Sequence, residues 1–148
     1  MKTNTSLPRS ARGQSLVEFA ISLTAILILL AGAVDFGIGL FHYVAMRDAA
    51  QEGALFGSMN PDNNAGIVDR VANASGDTGI IQKMIDEGMT INVTYDPNNP
   101  VGDRCEGDSI TVSLAYDYQI SMPFIGMFTG DTIRLRAAVT DTILTPFC

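Results

Sequence analysis

Hydrophobic residues are concentrated in one long run near the N-terminus of the chain. From Phe19 to Met46 the only formally charged residue is Asp35. A helix from Phe19 to Leu40 would span about 33 Å, which is enough to cross the hydrocarbon of a bilayer. The run therefore predicts a membrane-spanning helix. A buried core helix is the alternative, but a chain of 148 residues has too little other apolar material to surround one.

The helix is predicted to continue beyond the membrane. Residues 44–56 are mostly good helix formers, and residues 57–61 (GSMNP) supply a glycine stop followed by a proline. The pattern predicts one membrane and stalk helix over 14–57, half of it in lipid. Asp35 would lie about 24 Å along the axis from Phe19. At that height its carboxylate reaches water or headgroups, or pairs with a neighbouring helix.

Two short helices are predicted at the start of the remaining segment, 58–148. In the first, Ile67, Val68 and Val71 share one face behind an asparagine cap. The second begins at residue 78 or 79 and ends at 87, before a glycine. Both helices have apolar faces that can cover a small core.

Three later segments alternate between apolar and polar residues, which predicts β-strands over 90–95, 110–120 and 133–143. The alternation becomes unclear at 115–118. The apolar loop 122–128 is interpreted as core, with an exposed contact surface as the alternative. The predicted fold class is α+β: a long N-terminal helix carries a head of short helices and an antiparallel sheet, whose strand order stays open.

Charge differs between the two sides of the apolar run. Lys2, Arg9 and Arg12 lie in a basic leader, 1–13, and without it six basic residues stand against sixteen acidic ones. The positive-inside rule therefore places the N-terminus in the cytoplasm and the head, 58–148, outside. The acidic body gives no electrostatic reason to bind nucleic acid.

Residues that carry chemistry are few. Cys105 and Cys148 are predicted to form a disulfide in an exported head, closing a loop of roughly 44 residues for about 4 kcal/mol in the chain-entropy model; two free thiols are the alternative. His42 is interpreted as a packing or interfacial residue. The acidic loop 96–108 lacks the ligand order of an EF-hand and is interpreted as solvated. We therefore predict no enzyme activity, metal, cofactor or small-molecule substrate.

Gly13 and Glu18 frame the start of the apolar run. A carboxylate there has to be paired or solvated, because an Asp at the centre of a membrane helix costs about 2.5–3.5 kcal/mol on insertion scales. Cleavage after Gly13 would expose the amine of Gln14, which lies at i, i+4 from Glu18 and is cationic over most of the physiological range. That amine can neutralise Glu18 of its own or of a neighbouring subunit. Alternatively, Glu18 only marks the membrane edge.

A basic segment before an apolar run also describes a secretory signal peptide. Cleavage after Ala33, in the small-x-small sequence AGA, would leave a secreted soluble binding protein that begins at Val34. An unprocessed single-pass membrane scaffold is a further alternative. Ala33 and Gly37 also have the small-xxx-small spacing that permits close packing of membrane helices.

Two sequence motifs resemble the TadE-like family of pilin-like proteins. Residues 12–20 (RGQSLVEFA) are similar to that family's R-G-x-x-x-V-E-F-A motif. Residues 45–53 (AMRDAAQEG) are similar to its A-x-R-x-A-A-R-x-G motif, with Gln51 where a second arginine is common. This resemblance covers about a third of the chain.

The resemblance implies a non-enzymatic minor pilin or pseudopilin in the assembly of Tad (Flp-type) pili, which serve cell adhesion. It implies cleavage after Gly13 by a prepilin peptidase. The expected partners are the membrane, that peptidase, other pilin-like subunits and pilus assembly proteins. The expected location is the bacterial cytoplasmic membrane or the pilus at the cell surface.

Overall fold

A computed structural model describes residues 11–74, 76, 79–96, 104–120 and 130–145 of the chain, with side chains from residue 13 onward. Its elements follow in the order α1 (Ala11–Met59), α2 (Asn64–Asn73), α3 (Ile80–Asp86), β1 (Thr90–Tyr95), β2 (Ser109–Gln119) and β3 (Thr132–Thr142). The predicted fold class, a long apolar N-terminal helix followed by short helices and an antiparallel sheet, is confirmed.

Helix α1 is continuous over 49 residues. It includes both the predicted membrane segment and the predicted stalk, and it ends two residues beyond the predicted stop at residue 57. The backbone N–H of Asn60 still bonds to the carbonyl of Phe56 at 3.0 Å. Pro61 follows, and it cannot extend the hydrogen-bond ladder of the helix. The division into leader, stalk and head at residues 13 and 57 stays a prediction.

One face of α1 carries the head. The residues that face the head recur every three or four positions, which is the spacing of one helix face. They are half-buried or buried, and most are small: Asp35, Gly39, His42, Met46, Ala49, Ala50, Gly53, Ala54 and Gly57. This contact face begins at Asp35, within the run that was predicted to cross the membrane.

Helices α2 and α3 cover the upper part of α1. The side chain of Asn63 caps α2 by accepting a hydrogen bond from the backbone N–H of Gly66 at 2.9 Å. Ile67 and Val71 are fully buried, as predicted. The placement of Val68 on the same face was wrong, since this residue is 39% exposed. Val68 is rotated by about 100° from Ile67 on the helix.

The three strands form an antiparallel meander in the order β1-β2-β3. Leu114 of β2 lies opposite Ile91 of β1 and Ala137 of β3. The alternation in β2 that was unclear at 115–118 continues without interruption, because Tyr116 and Tyr118 are both buried on the face toward α1. The ring of a tyrosine packs as an apolar group while its hydroxyl reaches a polar partner.

The core lies between this sheet face and α1. Its largest fully buried side chains are Met46, Ile67, Ile81, Met84, Ile110 and Leu114. The apolar segment 122–128, interpreted from the sequence as core, lies outside the described residues. The long helix therefore serves as one layer of the head, as well as its anchor.

Candidate functional site

The N-terminal part of α1, residues 13–30, is not covered by the described part of the head. Residues 13–30 are all exposed, including large apolar side chains such as Leu29 at 74% and Phe19 at 67%. The helix is long and apolar enough to cross a membrane, and no part of its most apolar stretch is buried in the structure. It is therefore not the buried core helix of a soluble domain, and the predicted transmembrane character of this segment fits the structure.

The predicted processing residues lie together at the exposed start of α1. The side-chain amide of Gln14 donates a hydrogen bond to the Oε1 atom of Glu18 at 3.4 Å. A Cβ atom added at Gly13 would meet no heavy atom within 4 Å. The three residues are thus open to a partner, and the cleavage itself stays a prediction.

The predicted helix-packing residues Ala33 and Gly37 are exposed on the side of α1 that faces away from the head. A Cβ atom added at Gly37 would also meet nothing within 4 Å. The head therefore leaves this pair accessible to another helix. Contact with such a helix stays a prediction.

Asp35 lies where the head first meets α1. Its residue surface is only 8% exposed. The hydroxyl of Tyr118, at the end of β2, donates a hydrogen bond to its carboxylate. Burial raises the pKa of Tyr118, and the Asp35 carboxylate raises it further. The sequence predicted two environments for Asp35: water or headgroups at the membrane surface, or a neighbouring helix. The structure shows another, because the head of the same chain covers this carboxylate.

His42 follows two turns later on the same face of α1. Its ring stacks against that of Tyr116 at 6.0 Å between centroids and lies 5.3 Å from that of Tyr118. Its Nδ1 lies 2.8 Å from the carbonyl oxygen of Ile38, so Nδ1 is assigned the proton that forms this bond. His42 thus packs between helix and sheet, in agreement with its interpretation as a packing residue.

A second tyrosine hydroxyl anchors the other side of this aromatic contact. Tyr116 donates a hydrogen bond to the Oε2 atom of Glu87 at 2.5 Å. Burial and the neighbouring Glu87 carboxylate raise the pKa of Tyr116 to about 12. Both phenols therefore keep their protons at neutral pH, and both act as hydrogen-bond donors to carboxylates.

The second family-like motif, residues 45–53, forms a close contact between α1 and the head. Ala49 and Ala50 are fully buried. A Cβ atom added at Gly53 would lie 2.4 Å from Cγ2 of Val71 in α2. The role of these small residues was missed at the level of sequence, although their spacing of three and four positions was a visible signal. Gln51, at the position of the family's second arginine, is exposed.

The upper end of α1 is held by a second aromatic contact. The guanidinium carbon of Arg104 lies 4.2 Å from the ring centroid of Tyr95. The Tyr95 hydroxyl lies 2.8 Å from the carbonyl oxygen of Pro61, and Arg104 also pairs with Asp62 at 3.2 Å. Burial is the main cause of a raised pKa at Tyr95, and the Arg104 charge opposes it. These bonds fix the turn between α1 and α2 to the sheet.

The remaining sequence predictions concern the cysteines and the acidic loop. The sulfur of Cys105 is engaged in a disulfide. Cys148 lies outside the described residues, so the pairing of Cys105 with Cys148 stays a prediction. Residues 97–103 of the loop also lie outside the description. Within the described ranges, no group of three His, Cys, Asp or Glu side chains is placed to hold a metal ion.

Replacing Tyr118 by phenylalanine tests the bond to Asp35. We expect the free energy of unfolding to fall by about 1.5–3 kcal/mol, since Tyr118→Phe removes a donor from a buried carboxylate. The ring contact with His42 is kept. Denaturant unfolding of the full chain in detergent, followed by near-ultraviolet circular dichroism, measures the change.

Two comparisons isolate this bond. Tyr43→Phe is the control, because Tyr43 is an exposed tyrosine on the same helix and we expect a change within about 0.5 kcal/mol. The Tyr118→Phe/Asp35→Asn double-mutant cycle should give a coupling energy above about 1 kcal/mol. Strict additivity of the two changes would contradict a direct bond between the two side chains.

The comparison with protein families agrees with this geometry. The family model described as TadE-like protein matches residues 13–55. The match begins at the predicted cleavage glycine and ends two residues beyond the second family-like motif, so it covers the exposed part of the helix and most of its contact with the head. Neither a curated protein nor a solved structure matches the chain. The resemblance suspected from the sequence is confirmed over residues 13–55, which are similar to the TadE-like family.

Proposed function

We propose that the chain is a minor pilin-like component of a Tad-type pilus machinery, anchored in the bacterial cytoplasmic membrane with its head outside. A prepilin peptidase removes the leader after Gly13. The mature subunit then packs through its N-terminal helix against other pilin-like subunits and assembly proteins. It acts structurally, in pilus assembly and hence in adhesion, without a reaction of its own.

The observation that carries this proposal is the contact of Gln14 with Glu18 at the foot of an exposed apolar helix. Cutting the bond after Gly13 places a cationic amine on Gln14, one helical turn from the Glu18 carboxylate. The side chains already lie within 3.4 Å of each other. Packing of such helices brings the amine of one subunit to the Glu18 of the next, so that the carboxylate is compensated within apolar surroundings.

The exposed apolar surface of α1 supports the same role. It extends from Leu16 to Leu30, where every residue is exposed and none is covered by the described part of the head. Lipid covers this surface before assembly, and helices of other subunits can cover it afterwards. Ala33 and Gly37 extend the surface on the side away from the head, where small residues allow helices to approach closely.

N-terminal sequencing of the membrane-bound protein tests the processing step. We expect the mature chain to begin at Gln14. A start at Val34 would instead indicate a secreted soluble protein, and an intact Met1 would indicate an unprocessed scaffold. Either result would overturn the proposal.

A pair of matched variants separates the two cleavage sites. Gly13→Leu should abolish the start at Gln14, because the peptidase meets a bulky side chain at the bond. Ala33→Leu should leave that start unchanged, since it alters only the small-x-small site. The reverse pattern, in which Ala33→Leu blocks processing, would assign the cut to a signal peptidase.

A further inference from the structure

The depth of the head relative to the bilayer follows from the length of α1. A hydrocarbon core of about 30 Å takes up about 20 helical residues. If its inner edge lies at Gly13, its outer edge lies near residue 33, and if the inner edge lies at Glu18, the outer edge lies near residue 38. The head already contacts α1 at Asp35, through Tyr118, and Gly32 lines a groove just below this contact. Under either placement, the lower end of the head therefore reaches the outer boundary of the hydrocarbon.

An apolar groove lies at this lower end. We call it the lower groove; it encloses about 370 Å³ between α1 and the adjoining ends of β2 and β3. Its apolar lining includes Gly32, Phe36, Gly39 and Leu40 from α1, Ile120 directly after β2, and Ile133 from β3.

Two polar side chains of the lower groove are engaged with each other. Asp35 and Tyr118 both line it, and the Tyr118 hydroxyl donates a hydrogen bond to the Asp35 carboxylate. An apolar occupant therefore does not have to strip water from a free charge at this point. The groove is thus suited to a hydrocarbon chain.

We propose that the lower groove holds an acyl chain of an outer-leaflet phospholipid, so that the head sits in the membrane surface instead of standing above it. Phe36 and Ile133, at the groove, are 74% and 47% exposed in the isolated chain. These side chains continue the exposed surface of the spanning helix, of which Leu30 is 60% exposed. Lipid covers that surface, and the same lipid layer reaches the groove at the height set by the helix length.

This inference depends on the membrane span alone and not on the role in a pilus. It also explains why Asp35 is covered by the head. A carboxylate at the edge of hydrocarbon requires a donor, and Tyr118 supplies one from the same chain. The Asp35–Tyr118 bond then fixes the height at which the sheet end meets the lipid.

A fluorescent probe tests the contact with lipid. The chain has no tryptophan, so Ile133→Trp introduces a single fluorophore at the groove. The full chain is reconstituted in phosphatidylcholine vesicles whose acyl chains are either plain or brominated near the headgroup. We expect Ile133→Trp to lose most of its fluorescence in the brominated vesicles, because bromine quenches tryptophan only on contact.

Val68→Trp is the matched control. Val68 is also a surface residue of the head, 39% exposed, but α2 packs near Gly53, about 27 Å along α1 from Asp35. We expect its fluorescence to be the same in plain and brominated vesicles. Unquenched fluorescence from Ile133→Trp would overturn the proposal, including the case in which a second copy of the chain covers the groove. Equal quenching of both variants would also overturn it, since the whole head would then lie on the lipid.

Discussion

Replacing Gly53 by leucine is expected to lower the free energy of unfolding of the head by about 3 kcal/mol, at the upper end of the range for overpacked cores. The first added carbon would already lie 2.4 Å from Cγ2 of Val71 and 3.6 Å from the carbonyl oxygen of Ile67. Both residues belong to α2 and are fully buried. Helix α2 would have to move away from α1, which separates two layers of the core.

Gly37→Leu is the control for this prediction. It makes the same chemical change in the same helix, but a Cβ atom at Gly37 meets nothing within 4 Å. Leucine has a better helix propensity than glycine by up to about 1 kcal/mol, so stability should stay equal or rise. Denaturant unfolding in detergent, monitored through the tyrosines of the head, measures both variants. Equal stability of the two would show that α2 does not pack against Gly53 as the structure describes.

The long helix and the strands could be predicted because their sequence patterns are local. An uncharged run from Phe19 to Val34 and a glycine followed by Pro61 locate α1 without reference to the rest of the chain. Alternation alone locates β1 within its observed bounds, Thr90–Tyr95. The family-like motif at residues 12–20 is equally local, and the match over 13–55 agrees with it.

The docking of the head could not be predicted because it depends on contacts between distant residues. Asp35 meets Tyr118 across 83 positions of sequence, and no local pattern pairs them. The strand pattern of β2 was also hard to recognise, because Tyr116 and Tyr118 carry polar hydroxyls but are buried like apolar residues. The register of β2 therefore looked unclear at the point where the sheet reaches the membrane end of the helix.

The two halves of α1 differ in what constrains their residues. Above Asp35, small residues are required by contact with the head, as at Gly53 and Gly57, where an added Cβ would lie 2.4 Å from a buried side chain. Over residues 13–30, no contact with the described part of the head restricts the exposed apolar residues. We expect constraints on this stretch to come from outside the subunit and to be strongest at its one carboxylate, Glu18.

Glu18→Ala is expected to leave membrane insertion intact and to reduce incorporation into pili by about 100-fold or more. The estimate follows from the 3–5 kcal/mol typical of breaking a buried ion pair, at about 1.4 kcal/mol per tenfold change. Insertion should persist because the apolar run that follows is unaltered. Immunoblots of the membrane fraction and of sheared pili measure the two quantities separately.

Two further substitutions at Glu18 show whether charge carries the effect. Glu18→Gln keeps the size and the hydrogen-bonding oxygen, but it cannot compensate the amine of Gln14, so it should fail nearly as completely as alanine. Glu18→Asp keeps the charge on a shorter side chain and should retain part of the incorporation. If Glu18→Gln were incorporated normally, charge compensation would be excluded, and the 3.4 Å contact of Gln14 with Glu18 would serve only the local structure of the helix. Processing after Gly13 would remain open to its own test, because N-terminal sequencing reads the cut without requiring assembly.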